Sequence, residues 1–392
     1  MKRAAAKLRL ADPVDLLEQA VAGRRRALGR LLTLIEQGGR IADEITELLH
    51  SRTQDGARGA HTAALRGAAR SADSAAVIGV TGAPGCGKST LVGRLVAELS
   101  KLPEEAGLPE ESGLGRSPAV LAVDPSSPLT GGAILGDRIR MEDSGPVANS
   151  GRSGNAGNTA GNTDNTAGNT TGSRVAGSAG AFIRSMATRG HAGGLALAVP
   201  AALRLFEACG YGPLVVETVG VGQVEVDVTR TADTTVVVVA PGMGDAVQAN
   251  KSGLLEVADV LVVNKSDRPG AEDAKRDLQH MLDLGHVTGL TEQWRPPVVM
   301  TAATVAAGDG ADRVVGAVRA HREHLQQQGL LQARRQARIR QEIHDRVSQR
   351  LSAAAEHCLG AEPEALAEAL EGRITPAAAA AAISRRLLVS EP

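Results

Sequence analysis

The stretch Gly82-Ala-Pro-Gly-Cys-Gly-Lys88-Ser89-Thr90 is a complete phosphate-binding loop, G-x-x-x-x-G-K-S. Glycines at 82, 85 and 87 let the backbone curl so that its N–H groups point at phosphate oxygens. The chain before the loop, Ala76-Val-Ile-Gly-Val80, is an apolar run that predicts a strand. The chain after it, Leu91-Val-Gly-Arg-Leu-Val-Ala-Glu-Leu99, has the apolar spacing of a helix. That strand–loop–helix context is what gives the motif physical meaning. A helix N-terminus adds partial positive charge. Lys88 can reach β- and γ-phosphates, and Ser89 can ligate Mg²⁺. Gly82, Pro84, Gly85, Cys86, Gly87, Lys88, Ser89 and Thr90 are therefore candidate contacts to a nucleoside triphosphate. Cys86 is read as a small residue that fits the loop.

A second constellation speaks to the base. Val262-Val-Asn264-Lys265-Ser266-Asp267 places N-K-x-D after an apolar run. An Asp carboxylate there accepts two hydrogen bonds from guanine N1–H and N2–H₂, a donor pair that adenine lacks. Downstream of a phosphate loop, the pattern predicts guanine specificity, with GTP and GDP as the ligands. Thr301-Ala302, after the next apolar run, is placed to help close the base pocket through backbone groups.

Three carboxylates fall where Mg²⁺ or a switch would need them. Asp124 ends the run Ala119–Val123, Asp137 lies in Gly131-Gly-Ala-Ile-Leu-Gly-Asp137, and Glu217 opens Glu217-Thr-Val-Gly220, a variant of D-x-x-G. Mg²⁺ takes one or two carboxylates beside phosphate and keeps several waters, so not all three need be direct ligands. Taken singly, each is better read as an N-cap or turn acid, but that reading is a poor one for all three beside a phosphate loop. Gly220 could offer its N–H to a γ-phosphate and so distinguish GTP from GDP. Lys88, Asp137 and Glu217 are the candidate catalytic residues, and Ser89, Asp124, Asp137 and Glu217 the candidate metal site.

The elements that must hold these residues follow from periodicity. Apolar runs at 76–81, 119–123, 214–216, 235–239, 260–263 and 298–300 alternate with helical stretches. Short continuous Val-rich runs suit strands buried on both faces, and the alternation implies a mostly parallel α/β sheet. The expected organisation is an N-terminal helical extension over 1–74, a nucleotide-binding α/β domain over 75–328, and a C-terminal helical arm over 329–392. Within the arm, Ile339, Ile343, Val347, Leu351 and Ala355 repeat every four residues and form one apolar stripe. Such a stripe could pack on the domain or on a second subunit. Thr375-Pro376 opens a last short helix. Residues 145–180 carry a degenerate Asn-Gly-Thr repeat with almost no apolar side chain, expected to be mobile because it cannot offset its ordering entropy.

Bulk composition excludes several classes. With 43 Lys+Arg against 44 Asp+Glu, the net charge is 43 − 44 = −1, which offers no electrostatic basis for nucleic acid or an anionic membrane as main partner. Two Phe, one Tyr and one Trp are too few for a base-stacking surface. The three cysteines are far apart, so a disulfide framework is not expected and a reducing cytoplasm fits. No run approaches the ~20 apolar residues of a membrane span, and the basic N-terminus lacks the apolar core of a signal peptide.

Four longer motifs go beyond a generic nucleotide-binding protein: Val123-Asp-Pro-Ser-Ser-Pro128, Thr130-Gly-Gly-Ala-Ile-Leu-Gly-Asp-Arg-Ile-Arg-Met141, Phe182-Ile-Arg-Ser-Met-Ala-Thr-Arg-Gly190 and Glu217-Thr-Val-Gly-Val-Gly-Gln223. In this order they closely resemble the MeaB/ArgK group, the methylmalonyl-CoA mutase-associated GTPases. The resemblance covers nearly the whole chain. It implies a homodimeric G-protein chaperone of adenosylcobalamin-dependent acyl-CoA mutases, methylmalonyl-CoA mutase first among them, which gates cofactor delivery and protects the mutase. It also implies that the C-terminal helices form the dimer arm. Pro241-Gly-Met-Gly-Asp245 to Lys251-Ser-Gly253 resembles the group's extra mobile loop, with Gln248 and Lys251 as coupling residues. The repeat between Met141 and Phe182 departs from the group, which has a short connection there. A GTPase metallochaperone is the alternative, disfavoured because the nine His are scattered and no Cys pair is present.

Overall fold

The computed structural model describes residues 12–58, 75–105, 116–124, 181–187, 194–218, 230–242, 257–287, 294–304, 308–361 and 364–389. Asp137, Gly220, the 145–180 repeat and the coupling residues Gln248 and Lys251 lie outside them. The chain forms two compact units, residues 1–334 and 335–392.

The first unit is built on seven parallel strands: β1 Val77–Thr81, β2 Ala119–Asp124, β3 Phe182–Ala187, β4 Leu214–Thr218, β5 Thr234–Val239, β6 Val260–Val263 and β7 Val298–Met300. Their order across the sheet is β3-β2-β4-β1-β5-β6-β7. Helices α1 Pro13–Val21, α2 Arg25–Gln37 and α3 Gly39–Arg58 precede the sheet. Helix α4 Lys88–Glu105 follows β1, α5 Gly194–Ala208 precedes β4, α6 Ala271–Val287 follows β6, and α7 Ala311–Gln327 follows β7. The expected parallel α/β sheet and all six expected strands are present.

Alternation along the strands explains how both faces are covered. In β6, Val260 and Val262 join a core with α4 and α7, whereas Leu261 and Val263 join one with α6. Successive side chains point to opposite faces, so a continuous Val run serves two layers at once. On the β2–β3–β4 side, Leu28, Leu31, Leu32 and Ile35 of α2 pack in one core with Leu121, Met186, Val216 and Phe206. The N-terminal helices are thus part of the same hydrophobic core as the sheet edge. Gly38 closes α2 with φ 70°, and α3 begins at the next residue. Only a glycine takes that left-handed position without strain.

Strand β3 was not expected from the sequence, because Arg184 and Ser185 interrupt the apolar run. The structure supplies a partner: Arg184 forms a 2.8 Å ion pair with Glu36 of α2 and donates to Thr33 Oγ1. A charge within a strand is tolerated at a sheet edge where a helix brings its counter-charge.

At the opposite, N-terminal edge of the sheet, two aspartates anchor β5 and β6. Asp233 Oδ2 accepts from Val77 N at 3.1 Å and pairs with Arg322 of α7 at 3.2 Å. Asp259 accepts from Thr235 N at 2.8 Å and takes both guanidinium nitrogens of Arg334 at 2.9 Å. His321 lies between Thr234 Oγ1 and Asp259, and Trp294 donates its indole N–H to Asp259 O. Burial alone would raise the Asp259 carboxyl, but the neighbouring His321 and the doubly bonded Arg334 outweigh it and hold it below the usual carboxylate range. A depressed carboxyl stabilises the fold above its unfolded value, and that contribution is lost as pH falls through the folded one. Asp259→Ala is expected to cost about 2–3 kcal/mol at neutral pH, the range for hydrogen bonds to a charged group. Urea denaturation should show the gap to wild type closing as pH falls below the carboxylate range. Equal stability at neutral pH, or a gap that widens on acidification, would contradict this.

In the second unit, α8 Leu330–Gly360 continues from the first, followed by α9 Glu364–Leu370 and α10 Pro376–Val389. Thr375 Oγ1 accepts from Ala378 N and caps α10 where the sequence predicted its start. Ile339, Ile343, Val347 and Leu351 on α8 are 51–57% exposed.

Candidate functional site

In a parallel sheet every strand ends on the same edge, so loops distant in sequence meet there. Here β1 leads into the phosphate loop, β4 ends in Glu217-Thr218, β6 leads into Asn264–Asp267, and β7 leads into Thr301. The register pairs Val80 with Glu217 and Val123 with Thr218, so Glu217 stands beside the root of the phosphate loop. Asp124, one residue beyond Val123, ends the adjoining strand. Its side chain lies outside the described residues.

The phosphate loop is shaped by close approach. Gly82 has φ 141°, and a Cβ there would stand 2.1 Å from Val238 O. Gly87 has φ 92°, and a Cβ there would meet Asn264 Nδ2 at 2.4 Å. Neither position tolerates a side chain, so the loop hugs β5 on one side and the N-K-x-D turn on the other. The Lys88 ammonium is buried and donates to Gly82 O at 2.6 Å and Ala83 O at 3.0 Å. It therefore sits inside the curve of the loop, where phosphate oxygens would be met. Ser89 Oγ donates to Glu217 Oε1 at 2.6 Å, and Glu217 is 3% exposed. Thr90 follows in the first turn of α4, and Pro84 is at the exposed tip. Burial pushes the Cys86 thiol up from its usual value, overcoming the opposing effect of Lys88. It stays protonated, in keeping with a space-filling role.

Asn264 joins the loop to the base side. Its Nδ2 donates to Cys86 O at 2.9 Å, while its Oδ1 accepts from Thr301 Oγ1 at 3.0 Å and Ala303 N at 3.3 Å. Lys265 donates to Gly85 O at 2.6 Å and takes φ 58°, a left-handed conformation that a non-glycine residue adopts only when its surroundings demand it. Ser266 N donates to Thr301 O, which fixes the turn against the segment after β7. Asp267 projects from this turn and is exposed. Thr301 is buried, and Ala302 N donates to Asp309 O. Asn264, Lys265, Thr301 and Ala302 thus converge with the phosphate loop, and Asp267 stands at the rim where a base could reach it.

Two pairings were invisible in the sequence. Thr218 Oγ1 donates to Thr81 Oγ1 at 3.1 Å, both fully buried, tying the end of β4 to the start of the phosphate loop. Arg94 of α4 reaches the loop after β7. Its only sequence signal is a charge among the apolar residues Leu91, Val92, Leu95 and Val96.

A cradle of glycines, a buried lysine within it, an adjacent serine–carboxylate pair and an N-K-x-D turn are the parts of a GTPase site. The sequence profile described as Methylmalonyl Co-A mutase-associated GTPase MeaB matches residues 30–358. The chain belongs to the MeaB GTPase family. A Pyrococcus abyssi protein that its name places provisionally among GTPases is 39% identical over 334 residues, covering 85% of this chain and 83% of that one. GTPase ArgK of Escherichia coli is 34% identical over 66% of this chain and 65% of its own. The fused isobutyryl-CoA mutase of Cupriavidus metallidurans is 30% identical over 75% of this chain, a match that spans 22% of that longer protein. Among solved structures, a LAO/AO transport system kinase aligns over 97% of this chain and 99% of its own, with TM-score 0.57 and 23% identity, a likeness of fold. As a MeaB-family GTPase the chain acts on GTP.

Proposed function

We propose that this chain is a GTP-hydrolysing chaperone that gates adenosylcobalamin loading into an acyl-CoA mutase of the methylmalonyl-CoA mutase type and protects that mutase. The observation that carries the reading is the 30% identity of this chain to a segment of a fused isobutyryl-CoA mutase. A segment retained in one polypeptide with a mutase is positioned to act on it. Its family's description as mutase-associated supports the same assignment.

The residues supply the chemistry as follows. Lys88 and the loop N–H groups hold the phosphates and offset charge on the transferring group. Asp267 selects guanine, and Asn264 with Lys265 keeps the base turn locked to the phosphate loop. The Ser89 hydroxyl and Glu217 carboxylate are hard oxygen donors side by side, a set that suits Mg²⁺. When bound, Mg²⁺ would supply charge neutralisation at the β- and γ-phosphates. Asp124, Asp137 and Gly220 complete the proposed metal and switch set. Glu217 and Thr218 lie within three residues of Gly220, which would sense the γ-phosphate. The exposed stripe Ile339, Ile343, Val347 and Leu351 supports assembly as a homodimer through the C-terminal helices. We place the protein in the cytoplasm, where such mutases and a GTP pool would coincide.

The reading is tested by adenosylcobalamin transfer into purified apo-mutase, followed by the cofactor's absorbance. Loading should differ between GTP, GDP and a non-hydrolysable analogue when this chain is present. Identical loading with all three nucleotides would remove the gating role.

A further inference from the structure

We infer that Arg94 and Asp309 form a clasp that holds the base-closing loop onto the phosphate-binding helix and thereby sets how long guanine nucleotide stays bound. The inference rests on the guanine-site reading of Asn264–Asp267 and Thr301–Ala302, and goes beyond it by assigning positioning residues that touch neither base nor phosphate.

The geometry runs between two elements that hold opposite ends of one ligand. Arg94 lies on α4, whose first residues Lys88 and Ser89 belong to the phosphate site. Its Nε donates to Ala303 O at 3.1 Å and faces Asp309 Oδ2 at 3.4 Å. The two side chains are 16% and 14% exposed, so solvent screens the pair only weakly. Ala303 is also held from its other side, its N–H donating to Asn264 Oδ1. Asp309 closes the loop on itself: its carbonyl accepts from Ala302 N at 2.9 Å, and its Oδ1 accepts from Ala311 N at 2.9 Å at the start of α7.

Ala302, Ala303 and Asp309 are therefore each fastened, and Arg94 adds a link to the phosphate helix beside the one that runs through Asn264. A nucleotide bridging α4 and this loop leaves only if one end lets go. Without the Arg94 link the base side keeps its ties through Asn264 and Lys265 but is held less firmly to the phosphate helix. Release should then quicken through the base end.

The experiment is dissociation of fluorescent mant-GDP from the full chain, chased with excess GDP. Arg94→Gln is expected to speed release about tenfold, the effect of losing one charge-assisted contact near the low end of its range. Asp309→Asn keeps the acceptor that caps α7 but loses the charge, and should speed release by a similar factor. The double variant should release no faster than either single one, because both break the same contact. Arg94→Lys retains a cation able to reach Ala303 O and should restore most of the slow release. KM for GTP should rise with the release rate and move farther than kcat. Arg276→Ala, in an exposed pair with Asp273 on α6, should leave release at the wild-type rate.

Wild-type release rates in both Arg94→Gln and Asp309→Asn, with wild type binding mant-GDP normally, would overturn the clasp alone. Multiplying effects in the double variant would also overturn it, by showing that the two residues act separately. Wild type that retains no mant-GDP would overturn the guanine-site reading and the clasp with it.

Discussion

Lys88→Ala is expected to lower GTP turnover by about 10²–10³-fold, the effect of removing one preorganised charge from a transferring phosphoryl group. That corresponds to roughly 3–4 kcal/mol at the transition state, since each tenfold is about 1.4 kcal/mol. The fold should survive. The ammonium contributes two hydrogen bonds to Gly82 O and Ala83 O, and no core packing depends on its charge. Alanine at 88 removes the donor to both carbonyls, a loss confined to the loop itself. Phosphate release should therefore be nearly abolished while thermal melting stays close to wild type. Unchanged turnover in this variant would mean that the assigned loop is not where hydrolysis happens.

The second large effect concerns base choice. Asp267→Asn is expected to weaken GTP binding by roughly 10–100-fold, from the loss of charge-assisted hydrogen bonds worth about 1.5–3 kcal/mol. The exchanged amide offers a donor where the carboxylate offered an acceptor. Xanthine carries a carbonyl at that position, so xanthosine triphosphate should become the preferred ligand. Asp267 is exposed at the rim of the turn, whereas Asn264 behind it is buried and bonded to Cys86 O. The substitution should therefore change specificity without disturbing the loop. Competition binding with GTP, ATP and xanthosine triphosphate checks this. Wild type that holds ATP as tightly as GTP would refute guanine selection by this turn.

Much of the site was legible because its parts are local. The phosphate loop is contiguous, and the conformations at Gly82, Gly85 and Gly87 follow from residue type. The N-K-x-D turn is likewise contiguous and sits at a strand end that its Val run announces. Strands buried on both faces, such as β5 and β6, write themselves as unbroken apolar runs. Edge strand β3 does not, because the partner that makes Arg184 tolerable lies on α2, 148 positions away. Arg94 with Asp309, Thr81 with Thr218, and Asp259 with Arg334 were illegible for the same reason. Each is ordinary in its own segment and acquires meaning only when the topology brings two segments together. The N-terminal helices give a related lesson. Their periodicity announced helices, but not that Leu28, Leu31, Leu32 and Ile35 would complete the core beneath β2, β3 and β4.

On the function proposed for it, this chain couples its GTP cycle to a cobalamin-dependent mutase. The Ser89–Glu217 pair and the Thr81–Thr218 pair both join the phosphate loop to the end of β4. Slow intrinsic turnover, accelerated by the partner, is the expected behaviour. The most direct measurement is steady-state GTP turnover by the full chain, titrated with purified apo- and holo-forms of an acyl-CoA mutase. The account predicts a saturable rise in turnover that differs between the two forms and disappears in Lys88→Ala. Turnover that stays flat across both titrations, in protein that hydrolyses GTP on its own, would contradict it.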